Sequence, residues 1–243
     1  MTYCVGMRLD RGLLFMSDTR TNAGLDNIST YRKMFSFETP GERAITLLTA
    51  GNLATTQSVI SMLEERTKAP GDRAPSILES PSMFQVARLV GQTLRDVIAD
   101  NAQSGARADS SFNASIILGG QIKGTPPRLF MIYPEGNFIE AGDATPYFQI
   151  GETKYGRPIL VRAYEPSMSF EKAVKLLLVS FDSTIKANLS VGLPLDMQIY
   201  ETDSYKLGLS RRIGAEDAYF QTISNGWGAA LNMAFDSLPD VTL

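Results

Sequence analysis

Met1-Thr-Tyr-Cys-Val-Gly-Met-Arg-Leu-Asp-Arg-Gly-Leu-Leu-Phe-Met-Ser-Asp18 reads as two strands joined by a turn. Tyr3, Val5, Met7 and Leu9 alternate with Thr2, Cys4, Gly6 and Arg8, the period of a strand with one buried face. Thr2 and Cys4 therefore share a face. Asp10-Arg11-Gly12 is a turn signal and residues 13–17 are a second apolar run, so the two pair as an antiparallel hairpin. A three-residue loop sets Leu9 against Leu13 and Asp18 against Cys4, with the carboxylate within about 8 Å of Thr2. A two-residue loop moves Asp18 to face Tyr3.

Composition narrows the chemistry. None of the 243 residues is histidine, which excludes Ser-His-Asp and Cys-His machinery and every His-based metal site. The carboxylates show no metal-ligand spacing, so no metal site is expected. The single cysteine, Cys4, excludes an intrachain disulfide framework and reads as a small buried filler. Net charge is −3 with no Lys/Arg cluster, which argues against nucleic acid and anionic membrane as partners. No apolar run reaches eighteen residues and no export signal precedes the hairpin, so a cytoplasmic location is expected.

What remains is an amine as general base. A second-position threonine is small enough for initiator-methionine removal, which would leave Thr2 with a free α-amine beside its own hydroxyl. An α-amine has a pKa near about 8 and can take that proton directly or through water. Lys33 would favour the alkoxide and Asp18 would hold the lysine. The same residues also describe an ordinary hairpin with an Asp-Lys ion pair.

Thr2, the string Ser17-Asp-Thr-Arg-Thr-Asn-Ala-Gly24, Lys33 and Ala50-Gly51 together resemble the proteasome β-subunit pattern. The resemblance implies Thr2 as nucleophile, Asp18 as the lysine's partner, Lys33 as the cation that lowers the hydroxyl pKa, and the Gly51 amide as oxyanion donor. Thr2 to Gly24 matches without gaps; Gly24 to Lys33 is one residue short and Lys33 to Gly51 several long, the excess fitting a larger turn at Thr39-Pro-Gly-Glu42. By correspondence Thr21, Tyr31, Thr49 and Leu53 wall the primary specificity pocket, a mostly uncharged set that implies a preference for apolar residues. Ser190 in Ser190-Val-Gly192 corresponds to the serine that approaches the amine. The chain departs from the pattern twice. Glu152 or Thr153 stands where the family has a serine supporting the amine, and Ala187 stands where it has a carboxylate, with Asn188 following.

Along the chain, residues 43–49 read as a strand, 53–67 as a helix beginning just after Gly51, and 68–81 as a loop broken by prolines. A long amphipathic helix follows over 83–103, then polar residues 104–111, and a meander over 112–120, 128–133 and 137–140. Residues 146–150 and 195–200 are further strands. Ser169 caps a third helix whose inward stripe is Val174, Leu177, Leu178, Phe181 and Ile185. From Ala215 on, Ile223, Trp227, Leu231 and Phe235 mark a last amphipathic helix. This order predicts an α+β protein, a four-layer α-β-β-α sandwich (the N-terminal nucleophile hydrolase fold) forming one domain over 1–243.

Within the superfamily, the histidine-free sequence, the long excursion before the second helix and Gly151-Glu-Thr-Lys-Tyr-Gly-Arg-Pro158 most resemble the bacterial ancestral β-subunits, Anbu. That resemblance implies a threonine endopeptidase acting on peptide or unfolded protein within a homo-oligomeric ring, open or helical, with any ATPase unfoldase unidentified. Two alternatives use the same residues: a non-catalytic or very weakly active ring-forming scaffold, and an N-terminal-nucleophile amidase acting on small amides.

Overall fold

The computed structural model describes residues 2–22, 28–68, 75–103 and 112–242. Gly24, residues 69–74 of the expected loop, and residues 104–111 lie outside them.

The opening hairpin settles its register at the turn. β1 (Tyr3–Leu9) pairs with β2 (Gly12–Asp18), Leu9 opposite Gly12 and Cys4 opposite Ser17. The loop is therefore the two residues Asp10-Arg11, and the three-residue alternative, which would set Asp18 against Cys4, is corrected. Asp18 falls one step beyond Ser17, beside Tyr3.

Both strands are interior. Their sheet runs β10 (Tyr147–Gly151), β1, β2, β11 (Leu195–Glu201), β12 (Ser210–Ile213), every pairing antiparallel. The second sheet runs β5 (Met34–Thr39), β6 (Arg43–Gly51), β7 (Ala114–Ile122), β8 (Arg128–Ile132), β9 (Phe138–Glu140), also antiparallel. A two-stranded ribbon, β3 (Arg20–Asn22) with β4 (Ile28–Thr30), stands between β2 and β5 in sequence.

Where one buried face was expected for β1, the structure buries two. Tyr3, Val5, Met7 and Leu9 pack with Leu14 and Met16 under helices, whereas Cys4, Leu13 and Phe15 pack against Leu48, Ile117 and Leu129 of the second sheet. Between the sheets large side chains pack against glycines. A Cβ on Gly119 would lie 2.7 Å from the Phe15 ring, which fills that space instead.

α1 (Leu53–Lys68) and α2 (Met83–Gln103) cover the outer face of the second sheet through Val59, Leu63, Val86, Val90 and Leu94. α3 (Arg157–Ala163), α4 (Phe170–Ala187) and α5 (Ala218–Asp236) cover the first through Leu160, Leu177, Phe181 and Phe220. The architecture is the four-layer α-β-β-α sandwich.

Six elements depart from the sequence expectation, among them β5, where no strand is expected. α3 has no counterpart in the expectation; its Pro158 stands in the first helical turn, where proline lacks only an N–H that the helix would leave unbonded. β12 and the β3–β4 ribbon are three or four residues long, too short to show a period. α5 starts at Ala218, capped by Asp217, whose Oδ1 accepts the Phe220 N–H at 2.9 Å. Its expected stripe turns inward only at first: Ile223 and Trp227 are half-buried, but Leu231 and Phe235 are exposed.

Candidate active site

Thr2 lies immediately before β1, at the end of an interior strand, and is buried. Its carbonyl accepts the Glu152 N–H at 2.6 Å, and the next N–H, of Tyr3, donates to Asp18 Oδ1 at 3.0 Å. The same Asp18 oxygen accepts Lys33 Nζ at 2.7 Å. Lys33 also donates to the Arg20 carbonyl at 2.6 Å, and Asp18 Oδ2 accepts the Gly192 N–H at 3.4 Å. Both charged side chains are withdrawn from water. Burial pushes the Asp18 carboxyl up, while the Lys33 ammonium and the Tyr3 and Gly192 amides pull it back.

The second sheet joins through main chain. Thr49 N donates to the Lys33 carbonyl at 2.9 Å and its hydroxyl to the same oxygen at 3.5 Å, while Cys4 Sγ donates to the Thr49 carbonyl at 3.6 Å. Two residues on, β6 ends at Gly51, which is exposed. Gly51 has φ +119, and a Cβ there would lie 2.4 Å from the Asn113 carbonyl oxygen, so only glycine suits the position. α1 follows at once, Asn52 Oδ1 accepting the Thr55 N–H at 3.1 Å. A helix N-terminus directly behind Gly51 adds positive potential there.

Of the expected pocket walls, Thr49 is buried, Thr21 and Leu53 are half-buried, and Tyr31 is exposed. Thr21 sits on β3 opposite Ser29, and the Tyr31 N–H donates to the Thr19 carbonyl at 2.8 Å. Ser190 enters through its backbone: its N–H donates to Asn188 Oδ1 at 2.9 Å. The loop that carries it is fastened by Arg20, whose Nη1 donates to the Leu189 carbonyl at 3.0 Å and whose guanidinium occupies the space a Gly192 side chain would need.

Beneath Thr2 runs a relay that spacing did not reveal. Gln149 Nε2 donates to the Tyr3 phenol oxygen at 2.6 Å, the Tyr3 hydroxyl bonds Ser180 Oγ at 2.7 Å, and Ser180 donates to the Gly156 carbonyl at 3.1 Å. Ser180 is a mid-helix residue of α4, and only the packing of α4 onto β1 brings it there. The turn of residues 151–156 is thus pinned at both ends, to Thr2 and to α4.

A chain whose first strand is preceded by a threonine next to a buried Asp-Lys pair, in an α-β-β-α sandwich, has the plan of an N-terminal nucleophile hydrolase. The family model described as "Proteasome subunit" matches residues 2–197, and the chain belongs to the proteasome subunit family. Within that family it is similar to ancestral β-subunits. Anbu from Yersinia bercovieri is 48% identical over 100% of both chains, with a TM-score of 0.92. Anbu from Hyphomicrobium sp. strain MC1 is 49% identical over 100% of both, with a TM-score of 0.90. The helical assembly of the Anbu complex from Pseudomonas aeruginosa is 49% identical over 99% of this chain and 98% of that one, with a TM-score of 0.93. No curated protein matches the chain.

Proposed function

We propose that the protein is a threonine-type endopeptidase that cleaves peptide or unfolded protein with Thr2, after removal of Met1, inside a homo-oligomeric ring or open helical ring. The observation that carries this is the buried Asp18 carboxylate, which takes both the N–H next to Thr2 and the Lys33 ammonium. In this reading the Lys33 ammonium, held out of water by Asp18, favours the alkoxide on Thr2.

In this reading the Thr2 α-amine takes the hydroxyl proton as the oxygen attacks a peptide carbonyl. The Gly51 amide donates to the resulting oxyanion. The amine returns its proton to the departing amine as the C–N bond breaks, and water, activated by the same base, hydrolyses the acyl-enzyme and restores Thr2. Thr21, Tyr31, Thr49 and Leu53 form the primary pocket. No cofactor takes part, and we place the protein in the cytoplasm; no described helix is long and apolar enough to cross a membrane. Assembly draws support from the relative from Pseudomonas aeruginosa, solved as a helical assembly.

The test is intact mass before and after exposure to an epoxyketone or β-lactone. A mass lacking Met1 that gains one inhibitor, with the gain abolished in Thr2→Ala, is the expected result. A retained Met1, or a free Thr2 that stays unmodified, would favour the second reading, a ring-forming scaffold. One observation favours that reading: Ala187 leaves the Ser190 loop without the family's carboxylate.

A further inference from the structure

The turn that holds Thr2 brings a carboxylate of its own. Glu152, whose N–H bonds the Thr2 carbonyl, is only 6% exposed. Its Oε2 accepts Asn188 Nδ2 at 3.0 Å, and Asn188 Oδ1 accepts the Ser190 N–H. Glu152 and Asn188 therefore tie the turn over Thr2 to the Ser190 loop. Among the described residues no Lys or Arg forms an ion pair with Glu152. A buried carboxylate with only neutral donors is costly unless a cation joins it. Loss of Met1 would create a cation, the α-ammonium, on the residue whose carbonyl the Glu152 N–H holds.

We propose that Glu152 is the positioning residue of the Thr2 α-amine, its carboxylate accepting an amine N–H while Asn188 fixes the carboxylate's direction. This rests on the reading of Thr2 as the processed first residue. The other titratable groups nearest the turn on the surrounding elements are Tyr3 and Cys4 of β1, Asp18 of β2, Arg20 of β3, Lys33 before β5, Lys154, Tyr155 and Arg157 of the turn and α3, and Asp182 and Lys186 at the end of α4. The Asp18 charge is matched by Lys33 and the Asp182 charge by Lys186, 3.1 Å away, whereas that of Glu152 is unmatched. It therefore raises the amine's pKa, and its removal lowers it.

Competitive acetylation measures that pKa directly: a trace of acetylating reagent modifies only the neutral amine, and the yield at Thr2 is read by peptide mass across pH. In Glu152→Gln, which keeps the acceptor for Asn188 and loses the charge, the amine's pKa is expected to fall by about one unit. Glu152→Asp should lie between that variant and the wild type. An unchanged pKa in Glu152→Gln overturns the assignment. β-Lactone labelling of the same samples separates the two claims: a pKa that shifts in a wild-type background that never labels sinks the peptidase and keeps Glu152 as the amine's partner. Met1 retained in the wild type overturns both.

Discussion

At the scale of single residues the site rests on charges that water does not reach. Removing one partner of a buried ion pair leaves the other uncompensated, so Asp18→Ala should cost about 3–5 kcal/mol in chemical denaturation and abolish inhibitor labelling. Cys4 makes the opposite prediction. Burial pushes its thiol well above the ordinary range, so the neutral thiol prevails throughout the neutral and mildly alkaline range. Iodoacetamide at pH 8 should leave the folded protein unmodified and alkylate it only once denaturant exposes Cys4, as read by mass. The Asp18–Lys33 pair was legible because Asp18 ends the second strand of the hairpin and the family resemblance pointed to Lys33 as its partner. Glu152 and Asn188 were not, because the bond between them spans 36 residues and joins two loops whose meeting depends on the whole sheet.

At the scale of elements, the long periodic segments were read almost to the residue: α1, α2 and α4 with its Ser169 cap, whose side chain accepts the Lys172 N–H. Period fails where an element holds no more than about two of its own repeats, as in β12 and α3. The turn after β10 matters most to the site. Gly151 has φ +84, and a Cβ there would lie 1.9 Å from the Thr2 carbonyl oxygen. Gly151→Ala must therefore push the turn away from Thr2. We expect a loss of about 1–3 kcal/mol in thermal or chemical denaturation and slower labelling at Thr2 even where the protein remains folded.

At the scale of the whole molecule, the four layers followed from the order of elements, but the reach of the last helix did not. A stripe in sequence shows which face is apolar, not whether the same chain has anything left to cover it. Met233 and Phe235 are about three-quarters exposed, and Leu238 and Val241 continue the same uncovered surface. If the proposed assembly uses it, Leu231→Asp combined with Phe235→Asp should lower the sedimentation coefficient. Protomer stability should shift by no more than about 0.5 kcal/mol, as for surface sites generally. An unchanged coefficient would exclude this surface from the assembly. The opening hairpin carries a further consequence. Its turn lies seven strand residues from Thr2, roughly 23 Å away, yet it decides whether Asp18 arrives beside Tyr3 or elsewhere. Asp10 and Arg11 are exposed and their identities are open to change, but their number is not. One inserted residue would reverse the parity of β2 and carry the carboxylate away from the lysine. In a lineage of such chains, this distant tip should drift freely in its letters while never gaining or losing one, a constraint of arithmetic kept far from any chemistry.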